Sequence, residues 1–266
     1  MSTSMEQKGI AIFCVACLVI LLPLGEYILQ DGIVEPDDNL IWHDEFDGNA
    51  LNLDKWENLL PGPRRDAVNT PKAVRLDGNG HLVISTYIEN DTTYTGMIST
   101  RDLFKQKYGY FETRALLQKQ GGHWSAFWIN SPTYGTVIGD LNISGAEVDI
   151  FEYRAHYPGY IEQTVHWDGY GADHKKSVSG HTQENLTDGW HTFGLEWTNE
   201  SYSFFIDGNK TWQTYEGISH TPQFIILSLE VGPWAGGDIE NVPLPDSILF
   251  DYVRVYKTRP GNDVME

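Results

Sequence analysis

From residue 40 to the C-terminus the chain is interrupted every few residues by Gly, Asp, Asn or Pro, and no stretch carries an apolar stripe at helical spacing. The apolar residues fall instead into short runs rich in β-branched and aromatic side chains. Such runs are His81–Tyr87, Gly109–Ala115, Ser125–Ile129, Glu147–Glu152, Gln163–Trp167, Thr192–Trp197, Tyr202–Ile206, Phe224–Leu229 and Phe250–Tyr256. Asp207-Gly208, directly after one run, is a hairpin signal. Many short strands at this spacing predict an all-β sandwich of two stacked antiparallel sheets. A chain of 266 residues accommodates one such domain, and neither an internal repeat nor a second domain is visible.

The first residues read differently. Residues 9–25, GIAIFCVACLVILLPLG, carry no charge; Lys8 precedes them, and Glu26, Asp31, Glu35, Asp37 and Asp38 follow. This length suits either a signal-peptide core or a short membrane span. The charge asymmetry puts Lys8 inside and the rest of the chain outside. The expected organisation is a signal peptide or membrane anchor over residues 1–30, a linker with Pro36 over 31–39, and the domain over 40–266. The domain is thus expected to be extracellular, secreted or held at the cell surface, with membrane contact only through that segment. The two cysteines, Cys14 and Cys17, lie inside the apolar stretch, so no disulfide framework supports the domain.

With 37 acidic residues against 18 basic ones, the net charge is −19. Nucleic acid is excluded as a partner, because phosphate binding needs clustered Lys and Arg. The same field repels strongly anionic polymers and favours neutral ones. Aromatics make up 13% of the chain, with nine Trp. That is enough for some to face a ligand as well as pack the core and its rim. A monomer is expected.

The segment Glu147-Val-Asp149-Ile-Phe-Glu152 concentrates three acids. Strict strand alternation would put Glu147 and Asp149 on one face and Glu152 on the other, with Val148 and Ile150. A lone buried Glu is costly. One β-bulge near Ile150 or Phe151 would return Glu152 to the face of the other two. Glu147 and Glu152 would then stand about four strand steps apart, roughly 13 Å at the backbone, with side chains able to lean together. Two carboxyls about 5 Å apart are what a retaining glycosidase requires. Their mutual repulsion should keep one protonated near neutral pH. The alternative is a solvent-facing strand edge that is merely acidic.

These residues resemble glycoside hydrolase family 16, which includes laminarinases, lichenases, agarases and carrageenases. Glu147–Glu152 is similar to the family's E-x-D-x-x-E signature in its bulged form. Trp42–Gly48, Tyr108–Arg114, His123–Trp128, His191–Trp197, Phe205–Gly208 and Asp251–Tyr256 resemble its other segments, in the family's order. The resemblance covers about residues 40–257. It implies a β-jelly roll whose concave sheet forms the substrate cleft, with Glu147 as nucleophile, Asp149 as its assistant and Glu152 as acid/base. It also implies a polysaccharide partner and a catalysis that needs no cofactor.

By the same resemblance, Trp124, Trp128 and Trp234 match aromatic residues of the cleft, where flat rings stack on the C–H faces of sugars. His166 matches a histidine near the acid/base, although a structural histidine fits that position as well. Glu230 has no assigned role. Some relatives hold a structural calcium on the convex side; Glu45 and Asp251 match its ligands, with the carbonyl of Gly80 as a third. The resulting expectation is hydrolysis of internal β-1,3 or mixed β-1,3/1,4 bonds of a neutral β-glucan. An agar-type galactan hydrolase, a transglycosylase and a non-catalytic carbohydrate-binding sandwich are the alternatives.

Overall fold

The computed structural model describes residues 38–261. Seventeen strands occur among them. In chain order they begin with β1 (Leu40–Asp44), β2 (Glu57–Asn58), β3 (Gly62–Arg64), β4 (Ala67–Asn69), β5 (Val74–Leu76), β6 (Leu82–Glu89), β7 (Thr92–Ser99), β8 (Gly109–Leu116) and β9 (His123–Asn130). There follow β10 (Glu147–Arg154), β11 (Tyr160–Trp167), β12 (Lys175–Thr182), β13 (His191–Trp197), β14 (Tyr202–Ile206), β15 (Asn209–Thr214), β16 (Phe224–Val231) and β17 (Asp246–Tyr256).

One sheet runs β12–β11–β10–β9–β16–β7–β2, antiparallel throughout. The opposing sheet runs β15–β14–β13–β8–β17. The far edge of β17 is shared by β1 and β6, with β5 beyond β6. Alternate side chains of both sheets meet in the core. Val148, Ile150 and Phe151 of β10, Phe127 of β9 and Leu227 of β16 are fully buried there, as are Phe111 of β8, Phe193 of β13 and Phe204 of β14. Each such side chain contributes about 1.5–3 kcal/mol by leaving water. The expected two-sheet sandwich is the observed architecture.

The hairpin expected at Asp207-Gly208 joins β14 to β15. Ile206 pairs with Asn209, and the two turn residues have φ of 50° and 75°. Positive φ at both central positions is the two-residue turn that matches strand twist. Several strands carry too little apolar signal to be read from sequence. The clearest is the edge strand β12, whose residues are alternately exposed and half-buried and which opens with Lys175 and Lys176. An edge built this way resists pairing with another chain.

The proposed leader, 1–30, lies outside the described residues, as does 31–37 of the proposed linker. At the other end of that linker, Asn39 is already part of the fold. Its amide donates to the Thr258 carbonyl at 2.9 Å, and its Oδ1 accepts from the Thr258 amide at 2.9 Å.

Candidate active site

The strand β10 departs from simple alternation at one point. Asp149 pairs with Trp128 of β9, but the next paired residue is Phe151, opposite Phe127. On the other side Asp149 pairs with Thr164 and Glu152 with Glu162. Ile150 is therefore the extra residue of a bulge. Ile150 and Phe151 both enter the core, where Phe151 packs on Phe193 at a centroid distance of 4.1 Å. Two successive core side chains leave Glu152 on the same face as Glu147 and Asp149, and all three line one cleft.

That cleft has a volume of about 460 Å³ and crosses the concave sheet. Trp124, Trp128, His166 and Trp234 line it as well, so every catalytic and substrate-binding candidate read from the sequence converges here. Their exposure differs. Trp124 is only 4% exposed, because Trp234 stands edge-on to it at 5.3 Å and Arg65 lies 5.2 Å from its ring centre. Trp234 is 37% exposed, and Trp128 is half-buried with its indole N–H donating to Ser228 Oγ at 3.2 Å. Trp128 and Trp234 thus offer open rings, while Trp124 supports from beneath.

The three acids have different surroundings. Glu147 accepts from Asn130 Nδ2 at 2.6 Å through one oxygen and from the Tyr170 hydroxyl through the other. Asp149 Oδ2 lies 3.4 Å from His166 Nε2, and His166 Nδ1 is 2.9 Å from His174 Nε2. No hydrogen-bond donor reaches Glu152 among the described residues. Burial pushes the Glu147 carboxyl up to about 8; Asp149 adds to this, and the Tyr170 hydrogen bond opposes it. Burial likewise raises Asp149, reinforced by Glu162 and Glu230. Glu152 is held well above the usual carboxylate range by burial and then by Asp149, Glu162 and Glu147. A water-poor cluster of acids retains protons. Donors favour the charge on Glu147, so a proton settles best on Glu152, which has none.

Glu147, Asp149 and His166 bring ligand-type atoms within 4.8 Å of one another. Both Glu147 oxygens already accept hydrogen bonds from Asn130 and Tyr170, outside the trio, and within it His166 Nε2 lies 3.4 Å from Asp149 Oδ2. The expected calcium ligands do not fit an ion. Glu45 is taken by Arg254 through two hydrogen bonds, Nε at 2.9 Å and Nη2 at 2.6 Å. Asp251 accepts from Arg114 Nη1 at 2.7 Å. Guanidinium groups supply the positive charge that an ion would bring, and they would repel one. Gly80 has φ of 85° in the tight turn where Asp77 Oδ1 accepts from the Asn79 and His81 amides; that backbone explains the glycine.

Sequence reasoning missed several residues of the cleft. Glu230, 5% exposed, accepts from Arg64 at 2.7 and 3.2 Å and from Arg65 at 2.9 Å. Alternation along β16 places it with Ser228 on the cleft face, which was the available signal. Glu162 shares parity with His166 on β11 in the same way. Asn130 likewise shares parity with Trp124 and Trp128 on β9, whereas Tyr170 had no such signal, since a loop carries no period. Asp168 anchors the Tyr170 loop, accepting from the Gly139 amide at 2.7 Å and from Lys175 Nζ at 2.8 Å.

The profile described as glycosyl hydrolases family 16 matches residues 63–252. The chain belongs to this family. Glucan endo-1,3-beta-glucosidase A1 of Niallia circulans is 28% identical over 82% of the chain and 38% of its own length. A glucan endo-1,3-beta-glucosidase of Cryptopygus antarcticus is 29% identical over 73% of the chain and 80% of its own length. The X-ray structure of an endo-beta-1,3-glucanase from Pyrococcus furiosus superposes with a TM-score of 0.69 at 28% identity, covering 82% of this chain and 93% of that one. Against the first four curated relatives the chain spans only 34–38% of their length.

Proposed function

We propose that this member of glycosyl hydrolase family 16 is a retaining endo-glycosidase that cuts internal β-1,3 or mixed β-1,3/1,4 bonds of a neutral β-glucan outside the cell. The observation that carries the reading is the bulge at Ile150, which sets Glu147 and Glu152 on one face of one cleft. Glu147, held by two donors, attacks the anomeric carbon. Glu152, protonated, gives its proton to the departing glycosidic oxygen. The same residue, now a carboxylate, takes a proton from water, which releases the sugar from Glu147 with its configuration retained. Asp149 stands between the two on the same strand face, close to His166, and its neighbouring carboxyl tunes the proton affinity of the nucleophile. Trp128 and Trp234 receive the sugar rings. The relatives' names support the β-1,3 linkage, the acidic net charge supports a neutral polymer, and the uncharged stretch 9–25 supports export.

Reducing-end release from laminarin, mixed-linkage glucan, agarose and carrageenan, read by product size, tests the proposal. Short oligomers from the first two substrates are expected, with no release by Glu147→Gln. Binding without any release by the unaltered protein would leave only a carbohydrate-binding sandwich.

A further inference from the structure

Past the acids, the concave face leads into a second pocket, of about 410 Å³, walled by Arg154, Tyr157 and Tyr160. Arg154 follows Glu152 by two residues on β10 and shares its face; Tyr160 precedes Glu162 by two on β11 and shares that face too. The two pockets have a common wall. Arg154 Nη2 donates to Glu162 Oε2 at 2.9 Å, and its guanidinium carbon lies 4.0 Å from the Trp234 ring centre. Glu162 and Trp234 both line the catalytic cleft. On its other side the same guanidinium is 4.9 Å from the Tyr157 ring centre. Trp234, Arg154 and Tyr157 therefore stand in a row leading away from the acids.

The pocket is built rather than incidental. Tyr157 sits in the turn between β10 and β11, its amide donating to the Arg154 carbonyl at 2.9 Å, and the Tyr160 amide donates in turn to the Tyr157 carbonyl at 3.2 Å. His156 stands edge-on to Tyr157 at 4.9 Å. The hydroxyl end of the Tyr160 ring occupies the space where a Cβ on Gly180 of β12 would be. Gly180 is absent from the positive-φ positions, so its backbone does not demand glycine. The missing side chain makes room for the tyrosine, as strand glycines do where another group approaches closely. Glu162 offsets the charge of Arg154, so the pocket presents aromatic faces and hydroxyls without net charge.

We propose that Arg154, Tyr157 and Tyr160 form a distal subsite for a neutral sugar ring of the same glycan chain that is cut at Glu147 and Glu152. The inference rests on the glycosidase reading and extends it to a substrate length. Aromatic walls with a few fixed polar groups are what such a ligand requires.

Linear β-1,3-linked glucose oligomers of increasing length test it, as kcat/KM for the unaltered chain and as binding to Glu147→Gln, which holds the glycan uncut. Both quantities are expected to rise with length until the distal pocket is filled. Tyr157→Ala and Tyr160→Ala are expected to remove the last step of that rise, roughly tenfold, and to leave the shortest oligomers unaffected. Tyr160→Phe keeps the ring and is expected to keep the step. Equal losses at every length, or no loss at any length, would overturn the subsite. Failure of the glycosidase reading shows separately, as absent turnover, and the binding series still reads the pocket.

Discussion

The Tyr170 hydroxyl donates to Glu147 Oε1 while Asn130 donates to Glu147 Oε2, so the proposed nucleophile is held through both of its oxygens. Asn130 belongs to a packed strand; Tyr170 stands on a loop and is 63% exposed as a residue, although its bond to Glu147 is partly buried. The titratable groups that face Glu147 are Asp149 and Glu152 on its own strand, His166 on β11 and Glu230 on β16, with Tyr134 and Tyr170 on neighbouring loops. Tyr170 is one of the few that favours the ionised form.

Tyr170→Phe removes this donor and leaves the ring. A hydrogen bond to a charged group contributes about 1.5–3 kcal/mol, and the exposure of Tyr170 points to the lower end. The Glu147 carboxyl should rise by about one pH unit. Attack requires ionised Glu147, so the acidic limb of kcat/KM moves to higher pH by that amount. An unmoved limb with uniformly reduced activity would assign Tyr170 a structural part only.

Glu152 and Glu147 should respond differently to loss of charge. Glu152→Gln removes the proton donor, so activity on glucan falls by about 10²–10⁴-fold. Substrates whose leaving group needs no proton should still form the glycosyl-enzyme, and a small external anion should then release it. Glu147→Gln should show neither effect. Stopped-flow detection of the released leaving group separates the two; identical behaviour would reject the division of roles.

The acid cluster also predicts a stability profile. The carboxyls of Glu147 and Asp149 are pushed up to about 8 by burial, so the folded chain binds more protons than the unfolded one between the ordinary carboxylate range and about pH 8. The stability this contributes is fully present below that ordinary range and is lost as pH rises through 8. The melting temperature should therefore fall between pH 5 and 9. Asp149→Asn, which removes one of the charges, should flatten the fall, by about 2–4 °C for each kcal/mol relieved. A profile unchanged by this substitution would mean that the acids are not strained by one another.

The sandwich was legible in the sequence because its core strands are coded locally: Phe224–Leu229 and Ser125–Ile129 are apolar runs of strand length. Edge strands such as β12 were not, since a strand with one neighbour buries little and its composition follows solvent. The acids were legible because period-two alternation makes Glu152 costly unless a bulge intervenes, and Ile150 provides it. Arg64 and Arg65 were not, because their meaning depends on Glu230, which lies 165 residues away from the second of them. The pairing of the convex-side acids was hidden for the same reason: Glu45 and Asp251 have the right chemistry for an ion, but their arginine partners are brought in by β8 and β17.

That pairing supplies the final prediction. Partial burial would raise the Glu45 carboxyl, but the Arg254 guanidinium holds it below its ordinary value. The pair is self-sufficient: the carboxylate has its charge neutralised and both oxygens bonded. A chelator should leave the melting temperature unchanged, and added calcium should not raise it. Arg254→Ala would leave Glu45 charged and partly buried without its partner. It should destabilise the fold by about 1–3 kcal/mol and open the carboxylate to calcium; the expected signature is a calcium-dependent melting temperature in Arg254→Ala and a calcium-independent one in the unaltered chain. A clear rise on adding calcium to the unaltered chain would show that an ion displaces the guanidinium, and the convex side would then hold a metal after all.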